Sequence, residues 1–167
     1  MMSAADVIEV VDTLEAAGVA VWVNGGWGID ALLCEQTRPH DDLDVVIRVA
    51  DIEATLQALG ELGFSMMTDE RPQGFVVRDD ADRRVDFHPV RFRSDGSEAQ
   101  PMSDGPEWIY PAQGFSGSGS IGGRTVRCLS AEVQVLAHVD YEPDETDRRD
   151  MRLLRDRFGV VLPRSLR

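Results

Sequence analysis

Two short stretches of this chain carry acids in a pattern suited to chemistry. In Arg38-Pro39-His40-Asp41-Asp42-Leu43-Asp44 an acid pair enters an apolar run, and in Val85-Asp86-Phe87-His88 a third acid sits between apolar neighbours. On an extended strand, residues two apart point the same way and lie about 6.6 Å apart along the chain. Asp42 and Asp44 therefore project together, with Leu43 turned the other way. Two carboxylates side by side repel, and one takes up a proton unless a cation sits between them. A hard divalent ion such as Mg2+, which prefers oxygen ligands, removes that conflict. If the strand of Asp86 pairs beside that of Asp44, three carboxylates meet. Such a set holds the metal that clamps attacking and leaving oxygens in phosphoryl or nucleotidyl transfer.

The second ingredient is Gly25-Gly26, a turn ahead of a short helix whose backbone N–H groups can face a polyphosphate. Each motif alone is weak. An Asp-x-Asp pair arises often in acidic proteins, and a Gly-Gly turn is common. Their order, with the strand acid following, is far more specific.

The elements that must position these residues can be read from periodicity. Ser3 caps a helix with Val7, Ile8, Val11 and Leu14 at helical spacing, ended by Gly18. Val19 to Val23 is expected as a strand, Trp27 to Leu33 as a helix, and Leu43 to Ile47 as a strand. Asp51 caps a helix with Ile52, Leu56, Leu59 and Leu62 on one stripe. From Phe64 the period becomes two, giving strands over Phe64 to Met67, Gly74 to Arg78 and Arg84 to Val90, with a hairpin turn at Asp79 to Asp82. Ser94 to Gly105 is turn-rich, and the Gly/Ser alternation from Gly114 to Gly123 reads as the most flexible stretch. Thr125 to Leu129 is a strand. Ser130 caps a helix through Val139, and a last helix runs from about Thr146 to Phe158. The order predicts an α+β fold: a mixed sheet with helices mainly on one face.

Composition narrows the partners. The 167 residues carry 17 Lys plus Arg against 30 Asp plus Glu, a formal charge of −13, which repels nucleic acid and anionic membranes. A 43% hydrophobic content supports a core and argues against disorder. No apolar run approaches a membrane span, and the acidic N-terminus does not read as a signal peptide. Cys34 and Cys128 form no disulfide framework and suit a reducing cytoplasm.

Taken together, Gly25-Gly26-Trp27-Gly28-Ile29-Asp30, Arg38 to Asp44 and Val85 to His88 resemble the lincosamide nucleotidyltransferases and the aminoglycoside 2''-adenylyltransferases of the polymerase-β-like superfamily. The tail, with Leu129-Ser130-Ala131-Glu132, His138, Tyr141 and Asp147 to Leu154, resembles the shorter, lincosamide-type members. The resemblance implies a polymerase-β-like fold over a single nucleotidyltransferase domain, residues 1–167. It implies Mg-dependent transfer of AMP from ATP, or another NTP, to a hydroxyl of a small molecule such as a lincosamide or aminoglycoside, with release of pyrophosphate. Asp42 and Asp44 match the metal-binding pair, Asp86 the third carboxylate and acceptor-activating group, and Gly25 and Gly26 the phosphate turn. Where the wider superfamily has a turn hydroxyl, this chain has Trp27. The competing reading is a non-catalytic or protein-adenylylating, antitoxin-like nucleotide-binding module. Against a non-catalytic role, a pure binder gains nothing from three clustered acids.

The flanking residues leave alternatives open. Arg38 either reaches the triphosphate or pairs with Asp30 to brace the loop. His40 is expected to orient an acid, and Trp27 to anchor the core. His88 either lines the acceptor pocket or is a satisfied strand histidine, and His138 packs or lies at the surface. Trp108 and Tyr110 either meet an acceptor ring or plug a loop. Arg148 and Arg149 form a solvated face or reach a phosphate. So small a domain leaves its acceptor site half open, and a homodimer would complete it.

Overall fold

The computed structural model describes residues 1–94, 98–103, 105–111, 113–139 and 141–166. The chain opens with helix α1 (Ala4–Ala16), started by a reciprocal capping box in which Ser3 and Asp6 exchange hydrogen bonds. Strand β1 (Trp22–Asn24) then leads directly into α2 (Gly25–Leu33), and β2 (Asp42–Arg48) follows the loop that starts at Cys34. A single 3-10 turn over Val49–Asp51 precedes α3 (Ile52–Glu61). Asp51 stands at the start of α3 but makes no side-chain capping bond.

Strands β3 (Ser65–Glu70), β4 (Gly74–Arg78) and β5 (Arg84–Phe92) form a meander, and a hairpin of β6 (Glu98–Gln100) and β7 (Trp108–Tyr110) branches from β5. Then come β8 (Gly117–Ile121), β9 (Arg124–Cys128), α4 (Ala131–Leu136) and α5 (Glu145–Phe158). The main sheet runs β3-β4-β5-β2-β1-β9-β8. It is mixed: β1 and β2 are antiparallel, whereas β2 and β5 are parallel, as are β1 and β9.

Alternation along the two central strands divides the faces. Leu43, Val45, Ile47, Val85 and Phe87 turn to one side, where α1 and α3 bury them with Val7, Val10, Leu14, Ile52 and Leu59. Phe75 and Phe87 stack there at 4.6 Å between centroids. Asp42, Asp44, Asp86 and His88 are left on the opposite face, which α4 and the β6–β7 hairpin cover only at one end through Val46, Val90, Tyr110, Leu129 and Val133.

Three expectations need correction. The Gly/Ser stretch is not a flexible loop. Gly117–Ile121 is a full strand paired with β9, and its glycines let other backbone approach: a Cβ on Gly119 would collide with the Ala31 carbonyl of α2, and one on Gly117 with those of Cys128 and Leu129. The turn-rich segment contains β6, although residues 95–97 and 104 lie outside the described residues. The helix after Ser130 ends at Leu136 rather than Val139, because His138 and Val139 donate to Val135 and Leu136 three residues back and tighten the turn.

Candidate active site

The parallel pairing of β2 with β5 puts Asp44 opposite Asp86, with Asp42 opposite Arg84 and Val46 opposite His88. The third acid thus joins the second by direct register. His88 Nε2 lies 3.3 Å from Asp44 Oδ1 and 4.0 Å from Asp86 Oδ1. Among the described residues, Asp44, Asp86 and His88 form the group whose potential ligand atoms all fall within 4.8 Å. Asp42 stands at the outer end of the same face, beside Arg84. His88 is therefore part of the cluster, a strand histidine hydrogen-bonded to Asp44.

Electrostatics bear this out. Burial, then the His88 charge in opposition, then the negative charges of Asp44 and Asp42 act on Asp86, and the net effect raises its pKa. Burial and the neighbouring Asp44 likewise raise Asp42, with Arg84 offsetting part of the rise. Burial opposes charge on His88, but its hydrogen bond to Asp44 and the two nearby carboxylates win and lift its pKa. The protein leaves these acids short of positive charge. Carboxylate oxygens on two adjacent strands with unresolved mutual repulsion fit a hard divalent cation. Among the described residues the ligand atoms that come together are those of Asp44, Asp86 and His88, and Asp42 lies outside that group.

Asn24 pairs with Asp44 across β1 and β2, and Gly25 begins α2 immediately after it. Gly25 adopts φ +57°, and a Cβ there would collide with the Asp44 carboxylate. Asn24 occupies the N-cap position yet makes no capping bond, so the first N–H groups of α2 stay uncapped by its side chain. The turn and the acids thus adjoin.

The flanking loop is braced without the expected Arg38–Asp30 pair. Asp30 is taken by Thr37, which donates from N–H at 3.1 Å and hydroxyl at 2.7 Å, and by His40 at 2.5 Å. Arg38 pairs instead with Asp150 of α5. His40 does orient an acid, but that acid is Asp30. Trp27 is a core anchor. Arg149 donates to the Thr37 carbonyl at 3.0 Å. His138 is neither core nor free surface: its Nδ1 lies 2.7 Å from the Gln134 carbonyl oxygen, and it borders a cavity.

That cavity, about 410 Å³, opens beside Asp44 and His88. Met102, Trp108, Tyr110, Leu129, Val133, Ala137 and Tyr141 supply mostly apolar walls, and Asn24 and Gln100 add polar atoms. Trp108 and Tyr110 meet edge to face at 4.3 Å, and the Tyr110 hydroxyl donates to Gln100 at 3.2 Å. Asn24 and Gln100 escape a reading from sequence because neither carries a motif. Only the register with Asp44 exposes the first, and only the hairpin the second.

A mixed sheet bearing register-paired acids beside a glycine turn at a helix start is the arrangement of a polymerase-β-like nucleotidyltransferase. Solved structures bear this out. The lincosamide adenylyltransferase LnuA, solved with lincomycin bound, matches at TM-score 0.80 and 28% identity, covering 89% of this chain and 94% of its own. The fold of ANT(2'')-Ia, in complex with adenylyl-2''-tobramycin, matches at TM-score 0.74 and 23% identity, over 92% of this chain and 87% of that one. The chain belongs to the aminoglycoside-2''-adenylyltransferase family, whose pattern it matches over residues 6–154. A lincosamide resistance protein of Staphylococcus haemolyticus is 29% identical over 146 residues, 87% of this chain and 90% of the relative. A 2''-aminoglycoside nucleotidyltransferase of Escherichia coli is 32% identical over 124 residues, 72% of this chain and 64% of the relative. The chain is an enzyme of the nucleotidyltransferase class, and the binding-only reading is not favoured. Among the described residues no helix is long and apolar enough to cross a membrane.

Proposed function

We propose that this chain, acting as one cytoplasmic unit, transfers AMP from MgATP to a hydroxyl of a lincosamide-type antibiotic. The observation that carries the reading is the Asp44–Asp86 register pair opening onto an aromatic-walled cavity. Gly25 and Gly26, with Arg38 nearby, would hold the phosphates through backbone N–H groups and a guanidinium. Asp42, Asp44 and Asp86 would hold Mg2+, which when bound neutralises charge developing on the phosphates. Asp86, directly across the ladder from Asp44, takes the proton of the acceptor hydroxyl. The hydroxyl oxygen bonds to the α-phosphorus as the bond to the β-phosphate oxygen breaks, and pyrophosphate leaves.

The cavity favours one acceptor class. A polycationic aminoglycoside needs carboxylates spread around its ring amines, whereas these walls are largely tryptophan, tyrosine, methionine and aliphatic side chains. A lincosamide, with one amine and an apolar arm, suits them better. Pyrophosphate release with Mg2+ and ATP across lincosamides and aminoglycosides tests the reading. Turnover with lincosamides supports it, and silence with every drug defeats it. Phosphate release without any acceptor would instead mark a hydrolase. Light scattering with and without the drug tests whether a homodimer completes the acceptor site.

A further inference from the structure

Arg38 comes from the loop before β2, and its partner Asp150 lies on α5, 112 residues later. Its Nε donates to Asp150 Oδ2 at 3.0 Å, and one terminal nitrogen lies 3.0 Å from the same oxygen as an ion pair. The Asp150 side chain is only 4% exposed and that of Arg38 27%. The same terminal nitrogen stands against Gly26: a Cβ on that residue would come within 2.8 Å of it, and closer still to His40. The guanidinium is thereby held beside the first turn of α2, next to the uncapped N–H groups of the glycine turn.

As a device for stability alone this pair is poor. A buried ion pair rarely repays the loss of hydration unless every polar atom is satisfied. Asp150 Oδ1 is buried with no hydrogen-bond partner among the described residues. The loop is also braced without it, by Thr37 and His40 on Asp30 and by Arg149 on the Thr37 carbonyl. What Asp150 adds is a fixed location for the Arg38 charge.

We propose that Asp150 is a positioning residue for the nucleotide: from α5 it holds the Arg38 guanidinium against the glycine turn, where that charge meets the triphosphate. This rests on the nucleotidyltransferase reading and extends it to the C-terminal helix. Without Asp150, Arg38 is free to swing toward solvent or toward the many surface acids of a chain carrying −13. The turn then loses a charge preset for phosphate.

The test is calorimetric titration of MgATP into the whole protein, with melting curves and steady-state constants alongside. Asp150→Asn is expected to weaken ATP affinity, and to raise the KM for ATP, by about tenfold, the usual scale for one charge-assisted contact, while the acceptor KM is unchanged. The reversed pair, Arg38→Asp with Asp150→Arg, should recover melting temperature but not ATP affinity, because a negative charge then faces the turn. A merely structural bridge would recover both, and that result overturns the proposal. Should Asp150→Asn fail to fold, Arg38→Lys decides: its single ammonium cannot fork between carboxylate and phosphate, and ATP affinity equal to the parent's overturns the proposal. Failure of the parent itself to bind MgATP would instead overturn the nucleotidyltransferase reading.

Discussion

Gly25→Ala is the most demanding probe of how turn and acids are joined. Gly25 sits at φ +57°, where an L-residue with a side chain costs about 1–2 kcal/mol. Its added methyl would also occupy space held by the Asp44 carboxylate, which must rotate away. Forcing such a close neighbour aside costs about 1–3 kcal/mol. The sum, about 2–4 kcal/mol after partial relaxation, corresponds to a fall of about 5–15 °C in melting temperature for a chain of this size. The displaced carboxylate also leaves its 3.3 Å contact with His88. AMP transfer should therefore fall well beyond what the unfolded fraction explains. Differential scanning fluorimetry and pyrophosphate release, both at 20 °C below the variant's own melting point, separate the two effects. A variant that melts with the parent and turns over at its rate would refute both the strained turn and the contact with Asp44.

Other substitutions separate the roles further. Asn at Asp42, Asp44 or Asp86 should reduce transfer to background in pyrophosphate assays, with circular dichroism unchanged, because each change removes charge but little volume. Trp108→Ala should raise the acceptor KM about tenfold and the ATP KM by much less, since Trp108 belongs to the aromatic wall of the cavity and carries no charge or N–H of the turn. Away from the site, burial pushes the Asp79 carboxyl up, but N–H groups of Arg83 and Ala81 and the Arg83 guanidinium outweigh it and hold its pKa below the ordinary 3.8. A carboxylate lowered in the fold contributes stability that is present above 3.8 and lost as the pH falls beneath it. Asp79→Asn should thus cost about 1–3 kcal/mol at pH 7 and progressively less below pH 3.8, as chemical denaturation across that range would show.

The parts of the fold readable from sequence were those set by local rules. Alternation placed Asp42 and Asp44 on one face and Leu43 on the other, and the capping box at Ser3 and Asp6 marks α1 without any tertiary knowledge. Register was not readable. That Asp44 meets Asp86, and that Val46 meets His88, follows from a parallel pairing of strands separated by α3 and a meander. The Gly/Ser strand misled for a similar reason: its glycines signal flexibility when read alone, yet Gly119 admits the α2 backbone and Gly117 the carbonyls of Cys128 and Leu129. Arg38 has a nearby acid in Asp30, and sequence proximity points there. Its real partner comes from α5, and nothing local marks Asp150.

Cation and nucleotide ought to bind this site as one unit, and the geometry says why. The start of α2 offers N–H groups and the positive end of a helix dipole, which favour a phosphate. Yet Gly25 lies against Asp44, and Asp86 is directly across the ladder, so a triphosphate entering the turn meets carboxylates at once. Two unit charges of like sign about 4 Å apart repel by about 4 kcal/mol at the effective dielectric of a protein surface. Among the described residues His88 bridges toward both acids, and one imidazolium cannot neutralise Asp44, Asp86 and the incoming phosphates together. ATP in the presence of EDTA should therefore bind at least about a hundredfold more weakly than with Mg2+. Replacing both Asp44 and Asp86 with Asn should shrink that difference, because the repulsion goes with the carboxylates. Calorimetric titrations of the parent and the double variant, each with and without Mg2+, measure both. Equal ATP affinity with and without the metal in the parent would mean that the phosphates lie away from these acids, and the shared site would have to be abandoned.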